Sequence, residues 1–166
     1  AKDVNSGDYS KWIGEDGEVN LYADLNSSVN YTYINSFDGV FDGNGHTVSC
    51  TNKSRPLFNT IAAKAVVKNL TAAGKYVSLE AQGEQAFSSF AKVNLGTIQD
   101  CCNKTDGNLA ATAAVAFGGF VGQNGGVIRD CVNEGDIRLT LETTGNIVCY
   151  GGGFAAWGHT VTGGSP

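Results

Sequence analysis

The chain has 166 residues, 42% of them hydrophobic and only 16% charged, with a net charge of −5 and a pI near 4.8. That length suits one domain with a real core, and so weak and acidic a charge argues against a nucleic-acid partner, because nothing neutralises phosphates. No apolar run approaches the ~20 residues that a membrane helix needs, so no membrane insertion is expected.

Residues 1–16 contain "YSKWIG", which puts Tyr9, Trp12 and Ile13 on one helical face. This segment is expected to form a short N-terminal cap, since the end of a β-solenoid exposes unpaired backbone groups. Residues 17–166 are expected to form the rest, beginning with the strands "VNLYADL" and "YTYIN" in an irregular first coil that holds Tyr31 and Tyr33. Next comes "FDGVFDGNGHTVS", in which the Asp-Gly-Asn-Gly at 42–45 reads as a corner between two strands. His46 then merely precedes the next strand.

Four further segments can be written beneath one another: "PLFNTIAAKAVVKNLTAAG", "SSFAKVNLGTIQDCCNKTDG", "GGFVGQNGGVIRDCVNEGD" and "GGGFAAWGHTVTGGS". Their aromatics align at Phe58, Phe90, Phe120 and Phe154, and their branched residues at Val67, Ile98, Ile128 and Val161. The opening stretch joins through Phe41 and Val48. Within each unit the apolar residues fall in three short runs of period two, separated by Gly, Asn or Asp. Three short strands per repeat at a near-constant period describe an all-β parallel β-helix, with coils about 4.8 Å apart. On this alignment His159 shares the slot of His46, filled elsewhere by Ala65, Gly96 and Gly126, so no imidazole chemistry is expected. The last coil stops after "TVTGGSP" without its third strand.

The run "FDGVFDGNGHTV", the units "GGFVGQNGGVIRDCVNEGDI" and "LGTIQDCCN", and the lead-in "GEVNLYADL" resemble the GLUG-motif β-helices of secreted or surface-attached bacterial proteins. The resemblance covers about residues 17–164. It implies a right-handed, pectate-lyase-like winding and carries over no catalytic residues. The unit "SSFAKV" departs from the Gly-Gly pattern, so its corner is expected to be altered. The chain contains no Met, and a leader or upstream segment is expected to have been removed.

Asp100 and Asp130 share one repeat position with Asn69 and follow Gln99 and Arg129. Stacked coils would bring the two carboxylates roughly 5 Å together, a separation that suits a retaining glycosidase or a bridging calcium ion. Against that stands a corner where short polar side chains bond local backbone, as Asn69 would do equally well. Asn103 and Asn133 are expected to form an amide ladder. Cys101 and Cys131 align with Leu70, an inward slot, and in-register side chains point the same way, so no bridge between them is expected. Cys50, Cys102 and Cys149 lie elsewhere in the repeat, and no spacing suggests a metal or a cofactor. The run "GGFVGQNGG" lacks the Lys-Ser/Thr of a phosphate loop. Sequons at Asn26, Asn30, Asn52, Asn69 and Asn103 would matter only in a eukaryotic secretory pathway.

Exposed aromatics give the stronger functional lead, because sugars stack on flat rings while Asn and Asp take their hydroxyls. The candidates are Tyr31, Tyr33, Tyr76, Tyr150 and Trp157, the last in the slot of Ile61, Val93 and Gln123. These features point to a non-enzymatic, secreted or surface-anchored module for adhesion or for glycan or protein binding. The alternatives are the β-helix of a polysaccharide lyase or glycoside hydrolase and a purely architectural spacer. End-to-end association through the open C-terminal coil is also expected.

Overall fold

Turn-forming residues recur so often that no described strand runs beyond ten residues, and each must bury its apolar alternation against a neighbour in another coil. The computed structural model describes residues 14, 17–28, 34–77, 85–111, 115–142 and 150–158, except the side chains of 85, 86, 141, 157 and 158. The expected cap lies outside these residues apart from Gly14, as do Tyr31, Tyr33, Cys149, His159 and the C-terminal tail.

The chain passes repeatedly around the same sheets. Strand β1 (Glu18–Asn20) enters sheet I, β2 (Leu25–Ser27) sheet II and β3 (Ile34–Phe37) sheet III. The path begins again with β4 (Val40–Asp42), β5 (Thr47–Lys53) and β6 (Phe58–Ile61). It continues with β7 (Val66–Lys68) and β8 (Thr71–Tyr76), but a fourth sheet then intervenes: β9 (Gln85–Ser88) precedes β10 (Ala91–Asn94). The same order follows in β11 (Thr97–Gln99), β12 (Cys102–Ala111), β13 (Val115–Gly118) and β14 (Val121–Asn124). Last come β15 (Val127–Arg129), β16 (Val132–Asn133), β17 (Ile137–Leu141), β18 (Tyr150–Gly152) and β19 (Ala155–Gly158). Every pairing is parallel, so the protein is an all-β parallel β-solenoid with no helix among the described residues. The expectation of three strands per repeat is corrected to four from β8 onward, because β9, β13 and β18 form sheet IV.

The inward ladder of sheet I runs Val19, Phe41, Val67, Ile98, Ile128. Its middle three members are at most 2% exposed, while Ile128, on the last rung, is only half-buried. An aromatic chain crosses the coils beside it: Phe37, Phe58, Phe90, Phe120 and Phe154 follow one another at ring centroid distances of 5.8, 5.8, 4.7 and 5.7 Å. A second cluster, formed by Tyr76, Phe87, Leu109, Ala111, Val115 and Phe117, lies between sheet IV and the far half of sheet II.

Several registers differ from the repeat alignment. Phe58 pairs with Ala91 rather than Phe90; Ala91 ends at its Cβ, and the Phe58 ring reaches past it to Phe90. Phe41 stands in the ladder of Val67, while Val48 pairs with Ala72 in sheet II. The slot of Ala65, Gly96 and Gly126 is held one coil earlier by Gly39, not His46, because carbonyls of Gly39, Ala65 and Gly96 accept from Val66, Thr97 and Val127 in turn. His46 belongs with Leu70 and Cys101, whose carbonyls accept at the next corner. Trp157 is in register with Gln123, Val93 and Thr60, not Ile61. The "SSFAKV" corner keeps its register, Ser88 opposite Gly118, and the Ser88 hydroxyl donates to the Ala91 carbonyl.

Candidate functional site

The corner between sheets I and II explains the paired aspartates. Asn44, Asn69, Asp100 and Asp130 are the non-glycine residues of positive φ among those described, at 49°, 52°, 53° and 53°. Asn and Asp tolerate this left-handed conformation better than other side chains, so the backbone selects them here. Asp100 and Asp130 are both exposed. Gln99 Nε2 donates to Asp100 Oδ2 at 3.2 Å, and Arg129 Nε donates to Gln99 Oε1 at 3.1 Å. These contacts tie the outer surface together and build no enclosed site.

Two coils before Asp100 the same corner is held by Asp42. Its carboxylate accepts from the Asn44 amide at 2.8 Å and Asn69 Nδ2 at 3.0 Å, and pairs with Lys68 at 3.2 Å. Burial opposes its ionisation, but those two hydrogen bonds and Lys68 outweigh it and hold the carboxyl below its ordinary value. The group acts as a corner clamp.

Asparagines continue the internal ties. Asn103 Nδ2 donates to Asn133 Oδ1 at 2.6 Å, which makes the expected ladder. A second pair, missed in the sequence, joins Asn94 Nδ2 to Asn124 Oδ1 at 2.8 Å. Its signal was present, since "VN" and "QN" stand at equal repeat positions before "LG" and "GG".

Cys50, Cys101, Cys102 and Cys131 are free thiols. Cys101 and Cys131 share a hydrogen bond that, with burial, pushes the Cys101 thiol up, and that lowers Cys131 to about 7. The first proton to leave the pair therefore leaves Cys131, the more exposed of the two. Among the described residues no three His, Cys, Asp or Glu side chains gather where they could hold a metal ion.

The aromatic candidates are scattered. Tyr76 is buried, 1% exposed, with its hydroxyl donating to the Ser88 carbonyl at 2.6 Å; it is a core residue and not the surface platform expected of it. Tyr150 is 53% exposed on β18, at the edge of sheet IV. Trp157 sits on β19 at the edge of sheet III, and its side chain is outside the described set. Tyr22, which the sequence did not single out, is 86% exposed.

The structure offers a different surface, on the outer face of sheet II. Lys75, Asp106, Gly107, Asn108, Asp136 and Arg138 line a shallow depression of about 420 Å³. It spans three successive strands: Lys75 on β8 opposes Asp106 on β12, and Asn108 opposes Arg138 on β17. The Asp136 amide donates to Asp106 Oδ1 at 2.8 Å, and Arg138 pairs with Asp136 at 3.4 Å. Nearby, Lys104 and Glu134 pair at 3.2 Å. The signal was the outward alternation in "GKYV", "KTDGN" and "GDIRL", which becomes a surface only when those strands are stacked.

Comparison of the chain with protein-family models, with curated proteins and with solved structures finds no match.

Proposed function

We propose that this chain is a non-enzymatic binding module of a secreted or surface-anchored bacterial protein of the GLUG type, wound right-handed as that resemblance implies. Its contact surface is the outer face of sheet II, and its ligand a glycan or a polar protein surface. One observation carries this reading: cations, carboxylates and an amide line one open depression across three rungs, with the charged side chains exposed. Hydroxyl-rich ligands are held by such convergent donors and acceptors, and an open flat site favours weak contact repeated along an array. A purely architectural spacer would leave the same face without a ligand.

The enzymatic alternative is favoured by a specific feature, the juxtaposition of Asp106 and Asp136 in that depression. A panel of plant, host and bacterial polysaccharides, scored for both retention and cleavage, separates the readings. Retention without new reducing ends or unsaturated products is expected, weakened roughly tenfold by Lys75→Ala with Arg138→Ala. Cleavage abolished by Asp106→Asn with Asp136→Asn would establish the enzyme. No retention at all would leave the spacer.

Strands β15, β16, β18 and β19 end their sheets at one end of the solenoid, where Phe154 is 42% exposed. We propose that this end associates with a second copy, since exposed sheet edges recruit strands. Sedimentation velocity should show concentration-dependent dimers that Phe154→Lys disperses; monomers at all concentrations would refute it.

A further inference from the structure

Between the two apolar clusters lies a buried polar layer of Lys53, Ser88, Ser89, Asn103 and Thr105, each under 2% exposed. Part of it follows a rule. Where the chain turns from sheet IV into sheet III, a backbone carbonyl is left inside the solenoid, and a side chain from sheet II caps it. Asn103 Nδ2 donates to the Gly119 carbonyl at 3.0 Å, and Asn133 Nδ2 donates to the Gly153 carbonyl at 2.7 Å. Gly119 and Gly153 are equivalent positions, and Ser89 is their counterpart one coil earlier, because Ser88, Gly118 and Gly152 are in register.

By the same rule the Ser89 carbonyl should be capped by the residue in register with Asn103 on β8. That residue is Ala72, which has nothing to donate. Its carbonyl is nonetheless capped: Lys53 Nζ, from β5, lies 2.6 Å from it. The same nitrogen lies 3.3 Å from Thr105 Oγ1 and 5.6 Å from the centre of the Tyr76 ring. Lys53 points inward because the register of β5 on β8 slips between Cys50 and Lys53: Cys50 opposes Gly74 and Lys53 opposes Tyr76. The additional residue reverses the alternation and turns a lysine into the core.

We propose that Lys53 is a surrogate rung of the amide ladder, an amine that crosses from β5 to cap the carbonyl Ala72 cannot reach, and that it makes this corner of the solenoid sensitive to pH. The titratable groups facing it are Cys50 on its own strand and Tyr76 on β8; the corner at Ser88 and Ser89 offers it the Ser89 carbonyl, and strand β12 offers the Thr105 hydroxyl. Burial is the larger influence and drives the amine down from 10.5 to about 7, with Cys50 opposing weakly. A neutral amine keeps its N–H donors, so it can cap the carbonyl without carrying an unpaired charge.

The sign of the pH effect follows. Below about pH 7 the amine is charged in both the folded and unfolded chain, and the burial penalty is complete. Between about 7 and 10.5 the unfolded chain holds a proton that the folded chain has released, so stability rises with pH, by up to about tenfold in the folding constant per pH unit. Cys131, lowered to about 7, adds a slope of the same sign, whereas Cys101 and Cys102, both raised, oppose it only above their ordinary value of 9.

The test compares wild type, Lys53→Met, and Lys53→Met with Ala72→Asn, by urea unfolding at pH 7, 8 and 9. At pH 9, Lys53→Met should weaken folding by roughly tenfold, because it leaves a buried carbonyl uncapped. Adding Ala72→Asn should restore most of that loss. The rise between pH 7 and 9 should be steeper in wild type than in either variant. A double variant no more stable than Lys53→Met at pH 9 would overturn the surrogate role. Equal pH slopes in wild type and Lys53→Met would overturn the pH sensitivity, and they can be read even if the double variant fails to fold.

Discussion

The two apolar clusters are made differently. The first, around Phe41, Val67, Ile98 and the phenylalanine chain, is built by like residues stacked on like through successive coils, so each side chain is buried by its own repeats. The second, around Tyr76, Leu109 and Phe117, exists only where sheet IV is interposed and where β12 extends to ten residues. Among the described residues it has no counterpart beside β5 or β2; Phe87 stacks on Phe117 and Leu109 on Leu139, but Tyr76 opposes Lys53 and Gly107, and Val115 opposes Gln85. A ladder spreads the burden of packing over many equivalent contacts, whereas a local cluster rests on a few unequal ones.

The widest separation of the two should come from burying charge. Ile98→Asp places an unpaired carboxylate at a ladder position that is 0% exposed and should abolish folding, since that costs several kcal/mol, comparable with the stability of a small domain. Leu109→Asp, in the second cluster, should lose hydrogen-exchange protection in sheet IV and the far half of sheet II while sheets I and III stay protected. Uniform loss of protection after Leu109→Asp would show that the clusters form one cooperative unit.

Truncation should give a smaller, graded contrast. Phe90→Ala removes the centre of the aromatic chain and should cost about 3–5 kcal/mol in urea unfolding. Phe117→Ala, at 8% exposure on the rim of the second cluster, should cost less. Equal costs would show the second cluster to be as tightly packed as the first. At the lower limit, Arg129→Ala touches neither cluster and removes only its two exposed hydrogen bonds to Gln99, so under about 0.5 kcal/mol is expected.

The same division separates what could be read from the residues. The inward ladder of Val67, Ile98 and Ile128 was legible because a repeat needs only equivalence, and their spacing supplies it. The Asn103–Asn133 tie was legible for the same reason. The corner aspartates were largely legible: their shared slot was clear and Asn and Asp suit a turning backbone, but that each of Asn69, Asp100 and Asp130 itself takes the left-handed conformation was visible only in the structure. The depression on sheet II was hidden, because Lys75, Asp106 and Arg138 lie on strands far apart in sequence and occupy no common motif.

The sequence by itself determined that this chain stacks short parallel strands, which residues fill its inner ladder, and where Gly, Asn and Asp turn its corners. Those outcomes depend on period, alternation and backbone freedom, which are local or repeated properties. Only the tertiary structure decided that a fourth sheet enters after β8, that Tyr76 is core, and that Phe58 pairs with Ala91. It also decided that Lys53 faces inward. One residue of slippage in β5 reverses which side chains are buried, and pairing across coils sets that slippage where the composition of the strand does not.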